Sequence, residues 1–241
     1  MGIVYGPNVG LMAGAADGDL YGDAMRAFQR GVDSFLMPTV DGYLINTPPA
    51  SPVEGSFYII GAAPSGDWAG HAGEMARWSS HVSAWEFFTP KNGWMVQANS
   101  ARESYRYTDG DWEIFYKEGT FTPSLGFSSG SVTYSEQLGR YTRIGRHVHA
   151  VVRLVISGVS SPSGALSITG LPEKSKEDGI WPPSTLSVGS IAGVSSVWAS
   201  VVPGVAYAYL YGHAPSSAYA ILYAASLQTG SEISASISYE V

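Results

Sequence analysis

The stretch GRYTRIGRHVHAVVRLVIS, Gly139 to Ser157, decides how this chain is to be read. In its second half Val148, Ala150, Val152, Leu154 and Ile156 share one side of an extended strand. His147, His149, Val151, Arg153 and Val155 share the other, because successive side chains of a strand point to opposite faces. The first half is glycine-punctuated and basic, with Arg140, Arg143 and Arg146. A run of this kind lays its apolar side on a core and brings its basic end to a rim or an interface.

The rest of the sequence has the same texture. Of 241 residues, 45% are hydrophobic and only 14% are charged, while 29 are glycine and 15 tyrosine. That supply favours turns and strands over helices, so a mostly β protein is expected. The formal charge of −7 argues against nonspecific binding to nucleic acid or to an anionic membrane, which calls for a basic surface. Without cysteine there are no disulfides and no thiolate metal sites. No run reaches the roughly 18 apolar residues of a membrane span, so no membrane insertion is expected. The first residues lack the basic start and apolar core of a signal peptide, which suggests a soluble protein made in a cytoplasm.

One helix is expected, over residues 19–36, where Leu20, Ala24, Phe28 and Val32 recur every fourth residue and Pro38 closes the run. It belongs to an N-terminal segment, 1–42, suited to attachment. Residues 43–118 read as a small aromatic-rich β-domain. ARWSSHVSAWEFF and YRYTDGDWEIF each place an aromatic (Trp78, Tyr107), a polar turn and then Trp-Glu-x-Phe. In the second, Asp109-Gly110 is a hairpin signal. A joint is expected at Lys117–Gly119. From there to Val241, short strands separated by Gly, Pro and Ser suggest an antiparallel β-sandwich.

Signatures of catalysis find no footing. GFSSG, Gly126 to Gly130, matches a nucleophile elbow around Ser128, but that motif needs a strand before and a helix after the serine, and here a strand follows. Asp109, Asp111 and Glu113, like Glu173, Glu177 and Asp178, sit in turn-like sequence rather than at fixed separation on rigid elements. His147 and His149 give two nitrogens, too few for zinc. Three copies around a threefold axis would supply six. Arg146 and Arg153 on the same strand would repel a dication, so the histidines are expected to face outward, with no metal and no cofactor. The arginine cluster is expected to pair with Glu136, Glu173 or a neighbour's acids; the other use is an anionic glycan. Tyr207, Tyr209 and Tyr211 project from one strand face and serve either as packing surface or as a stacking platform for sugars. Candidate receptor-binding residues are Trp181, held beside two prolines, and His213 and Tyr219 in the next variable loop.

Two resemblances follow from these residues. TPPASPVEGSFYIIGAAPSGDWAGHAGEMARWSSHVSAWEFFTPKNGWMVQA, within residues 20–115, resembles a small domain of phage tail and gene-transfer-agent proteins. It has the proline-rich lead, the GxWAGHxG run, the tryptophan hairpin and the closing P-x-x-GW in the same order. Residues 119–241 resemble the distal domain of tailed-phage fibres, through GTFTPSLGF, GRYTRIGRHV and ITGLP followed by LYG and EISASISYEV. The insertion EKSKEDGIWPP departs from that pattern, so no ligand residue carries over. The resemblance implies a homotrimeric tail fibre or receptor-binding protein of a virion. It would attach to other tail or baseplate proteins through its N-terminal part and adhere to a host-surface glycan or protein. A structural baseplate or capsid fibre component and a capsule depolymerase are the alternatives.

Overall fold

A computed structural model of the chain describes residues 4–5, 12–14, 32, 38–99, 101–179, 183–189, 196–213 and 220–241. The protein is mostly β. It divides into two compact units, Met1–Tyr116 and Lys117–Val241. The helix expected over 19–36 lies outside the described residues, apart from Val32, whose backbone is helical.

In the first unit β1 (Val4–Tyr5) and β2 (Met12–Gly14) form an antiparallel ribbon. β3 (Thr39–Val40) and β4 (Gly42–Ile45) follow. β4 pairs in parallel with β5 (Phe57–Ile60), which continues antiparallel to β6 (Met75–Ser79) and β7 (Ala84–Phe88). β3 pairs in parallel with β8 (Met95–Ala98), which is followed by β9 (Glu103–Thr108) and β10 (Asp111–Phe121). Both aromatic hairpins form. In the β6–β7 hairpin Trp78 lies opposite Trp85, ring centroids 5.3 Å apart and edge-on. In the β9–β10 hairpin Tyr107 meets Trp112 in the same way, again at 5.3 Å. The turn between β9 and β10 is Asp109-Gly110 with φ of 52° and 97°, the double positive φ of a tight hairpin turn.

Val40, Phe57, Ile59, Met75, Val96, Tyr105 and Trp112 form the main core of this unit. Ile60, Trp68 and Ala76 form a smaller core on the other side of β5 and β6. Inside the unit Arg77 is 1% exposed and is held by Glu86 at 2.8 Å, its opposite number on β7, and by Glu54 at 3.5 Å. Lys117–Gly119, the expected joint, is strand within β10.

The second unit begins with β11 (Ser124–Gly126) and two long strands, β12 (Ser129–Ile144) and β13 (His147–Ser163). Gly139–Ile144, the basic half of the opening stretch, ends β12. The chain then turns through Gly145 (φ 56°) and Arg146 into β13. β14 (Ser167–Thr169), β15 (Pro183–Gly189), β16 (Ser196–Val201), β17 (Tyr207–His213), β18 (Ala220–Ile221) and β19 (Glu232–Glu240) complete the unit. The ladder runs β11-β14-β17-β16-β15-β19-β13-β12, all antiparallel, with β18 beside β17.

At its β11 end the ladder also reaches β12 through side chains. Leu125 N donates to Tyr134 Oη at 2.8 Å, and Gln137 Nε2 donates to the Pro123 carbonyl at 3.0 Å. The inner faces of these strands enclose one core. Val148, Ala150, Val152, Leu154 and Ile156 of β13 are all buried there, as the alternation predicts. They join Ile168, Ala199, Val201, Ala208, Leu210, Ile233, Ala235 and Ile237 in a single aliphatic core.

Candidate ligand-binding face

β17 carries the same alternation as β13 with a different outer side. Ala208 and Leu210 point into the core and are fully buried. Tyr207, Tyr209 and Tyr211 therefore stand on the outer face, partly exposed. Tyr211 lies opposite Trp198 of β16, and the two rings stack at 5.3 Å with planes 10° apart. Tyr207 and Tyr209 meet edge-on at 5.5 Å. Partial burial, and then the hydrogen bond with Tyr209, push the Tyr207 phenol above its ordinary value. Four aromatic rings thus line one outer surface of the second unit.

Beside them the sheet is built from small residues. Register places Ser167 opposite Tyr209 and Thr169 opposite Tyr207 on β14, and Gly126 opposite Ser167 on β11. Next to two tall rings these short side chains leave a trough of about 260 Å³, which also touches Phe127, Ser128 and Ala165. A Cβ on Gly126 would come within 2.6 Å of Ser167 Oγ and 2.7 Å of Thr169 Cγ2, so only glycine leaves this floor open. Ser167 Oγ donates to the Gly126 carbonyl at 3.2 Å, and Thr169 Oγ1 donates to the Ser124 carbonyl at 3.1 Å. No charged side chain occurs among the described residues lining the trough.

The other candidates fall elsewhere. Trp181 and Tyr219 lie outside the described residues. His213 is the last residue of β17, where its backbone pairs with Ser196. His147 and His149 are exposed on the outer face of β13, and His149 Nδ1 lies 2.9 Å from Ser238 Oγ. Among the described residues no three His, Cys, Asp or Glu side chains gather to hold a metal. Two of the four arginines of the basic cluster pair with acids: Arg153 bridges Glu136 at 2.9 Å and Glu232 at 2.6 Å, and Arg143 binds Glu173. Ser128 sits between β11 and β12, strand on either side, so the nucleophile-elbow setting is absent there. Of the acids expected in turns, Asp111 and Glu113 instead lie on β10, where Glu113 pairs with Arg106 at 2.6 Å, and Asp178 pairs with Lys176 at 3.5 Å.

A second depression, about 340 Å³, is lined by His147, Ser175, Lys176, Asp178, Ser238, Tyr239 and Glu240. Its charges come in both signs. Tyr239 forms its inner wall; its hydroxyl donates to the Glu173 carbonyl at 3.0 Å. Burial above all pushes that phenol up to about 12. Sequence reasoning missed Gly126, Ser167, Thr169 and Trp198 as partners of the tyrosine row. The available signal was the alternation in ALSITG, which puts Ser167 and Thr169 on one side of a strand.

Residues 26–113, less than half of the chain, match the family described as a protein of unknown function, DUF2793. That span falls within the region resembling the small phage-tail domain. A solved structure similar to this chain is the crystal structure of the Dettilon tailspike protein, with a TM-score of 0.44 and 23% identity. The likeness covers 52% of this chain and 24% of that one, so the chain spans about a quarter of that tailspike's length. No curated protein matches. No helix among the described residues is long and apolar enough to cross a membrane.

Proposed function

We propose that this chain is a virion tail protein whose second unit adheres to the host surface, and that it acts by binding rather than by catalysis. One observation carries the reading: the row of Tyr207, Tyr209, Tyr211 and Trp198 on the outside of a rigid sheet, beside an open trough. Buried aromatic rings would be packing, but outward rings backed by an aliphatic core are available to a ligand. The motif order of residues 119–241, which resembles the distal domain of phage fibres, supports the same role. The N-terminal part, with its resemblance to a small phage-tail domain, joins the protein to other tail or baseplate components.

The protein works as a homotrimer. On the outer face of β12 and β13, Leu138, Ile144 and Val151 are 50%, 58% and 49% exposed, apolar positions among polar ones that further copies of the chain would cover. Three copies of a weak site then gain by avidity without new contacts.

Incubating the purified chain with a panel of capsulated and rough bacterial strains tests the reading. Retention on one class of cell surface, with no shortening of its polysaccharide, is the expected result. Retention on no strain, or depolymerisation of the polysaccharide, contradicts it. Light scattering tests the trimer; a monomer mass at micromolar concentration contradicts it.

A further inference from the structure

We infer that the trough between β17, β14 and β11 is a saccharide subsite that takes a single uncharged pyranose ring. The inference rests on the adhesion reading above and specifies its ligand. A pyranose has an apolar C–H face and a rim of hydroxyls. The trough offers the complement of both, in the partly exposed rings of Tyr207 and Tyr209 and the hydroxyls of Ser128, Ser167 and Thr169.

The polarity of those hydroxyls narrows the class. Ser167 and Thr169 each give their one hydrogen to a backbone carbonyl, of Gly126 and Ser124 respectively. What they present to the trough is therefore acceptor lone pairs. A sugar hydroxyl can donate to these. A carboxylate or sulfate cannot, and it would meet no cation among the described lining residues. The nearest alternative for an anionic glycan, the basic cluster, has Arg143 and Arg153 engaged with Glu173, Glu136 and Glu232.

Size limits the occupant to one ring. The trough holds about 260 Å³, below the roughly 300–1,000 Å³ of sites that enclose larger ligands. The floor is preformed, since strand backbone and the missing Cβ of Gly126 fix it. Little ordering is needed on contact.

Saturation-transfer NMR on the intact chain tests the inference, with methyl glycosides of glucose, galactose, mannose, rhamnose and N-acetylglucosamine as neutral probes and galacturonate and sialate as anionic ones. At least one neutral glycoside is expected to bind, with Tyr209→Ala weakening it about tenfold or more. Thr169→Trp, which fills the trough and leaves both tyrosines, should abolish the signal, and it decides the matter if Tyr209→Ala does not fold. Preference for the anionic sugars, no signal from any neutral probe, or unchanged binding by Thr169→Trp each overturns the inference. Retention on bacterial cells separates the two readings. Retention that survives Thr169→Trp refutes this subsite and leaves adhesion standing, whereas a wild-type chain that binds no cells refutes adhesion itself.

Discussion

The two units use their aromatic residues in opposite ways. In the first, the rings are the core: Trp68 is fully buried, Tyr105 and Trp112 nearly so, and Tyr43 stacks on Tyr105 at 4.0 Å. The second unit fills its interior mainly with Val, Leu, Ile and Ala, with Tyr239 as its buried ring among the described residues, and turns Tyr207, Tyr209, Tyr211 and Trp198 outward. The physical reason is the size of the sheets. Short strands of four to six residues offer few positions, and large rings bury the most area from each. β13, with 17 residues, and its neighbour β19, with 9, supply enough aliphatic positions to close a core. Aromatic residues are then left for the surface. A ring inside a small unit is therefore structural, and a ring outside a well-filled one is available for recognition.

Substitutions can break that contrast. Trp68→Ala or Trp112→Ala should cost about 3–5 kcal/mol of stability, read from chemical denaturation, because each leaves a large cavity in a small core. Glu86→Ala should cost about 3 kcal/mol. It strips buried Arg77 of its closer partner, and Glu54 at 3.5 Å keeps the loss at the low end for a broken buried pair.

In the second unit Tyr239 contributes to the alkaline pH response. Its folded-state value of about 12 lies above the ordinary value of 10.0. The unfolded chain therefore releases this proton first. The stabilisation is complete below about pH 10 and is lost as pH rises from there through 12, about 3 kcal/mol in all. Tyr239→Phe should flatten that alkaline fall in a pH series of melting curves. The smallest effect belongs to the outward row. Tyr209→Ala should change stability by less than about 1 kcal/mol, since its ring faces away from the aliphatic core. A loss as large as that of Trp112→Ala would show that the row is packing after all.

Much of this was legible in the sequence. The alternation of Val148 to Ile156 fixes the buried face of β13, since a slip of one residue would put His147, His149 and Arg153 in the core. The Trp78/Trp85 hairpin and the Asp109-Gly110 turn were equally plain. β12 was not. Bulges between Ser129 and Ser131 and around Tyr134 break its period, and the strand therefore hides its full 16 residues. Trp68 sits in a glycine-rich loop, where nothing local marks it as fully buried. The parallel pairings β3–β8 and β4–β5 join segments far apart in the chain, a relation that period alone does not carry.

The tyrosine row was the hardest to place, because tyrosine suits either side of a sheet. Its outward position follows only once Ala208 and Leu210 are seen to fill the core. The trough needed more still. Gly126, Ser167 and Thr169 come together with the tyrosines through strand register, across some eighty residues of chain.

The central claim is that the outer aromatic face of the second unit is a binding surface and not packing. Retention on bacterial cells, compared between the wild-type chain and the Tyr207→Ala/Tyr209→Ala double variant and read beside their melting temperatures, tests it most directly. Retention is expected to be lost in the double variant while its melting temperature stays within a few degrees of the wild type. Equal retention by both proteins at equal stability would contradict it.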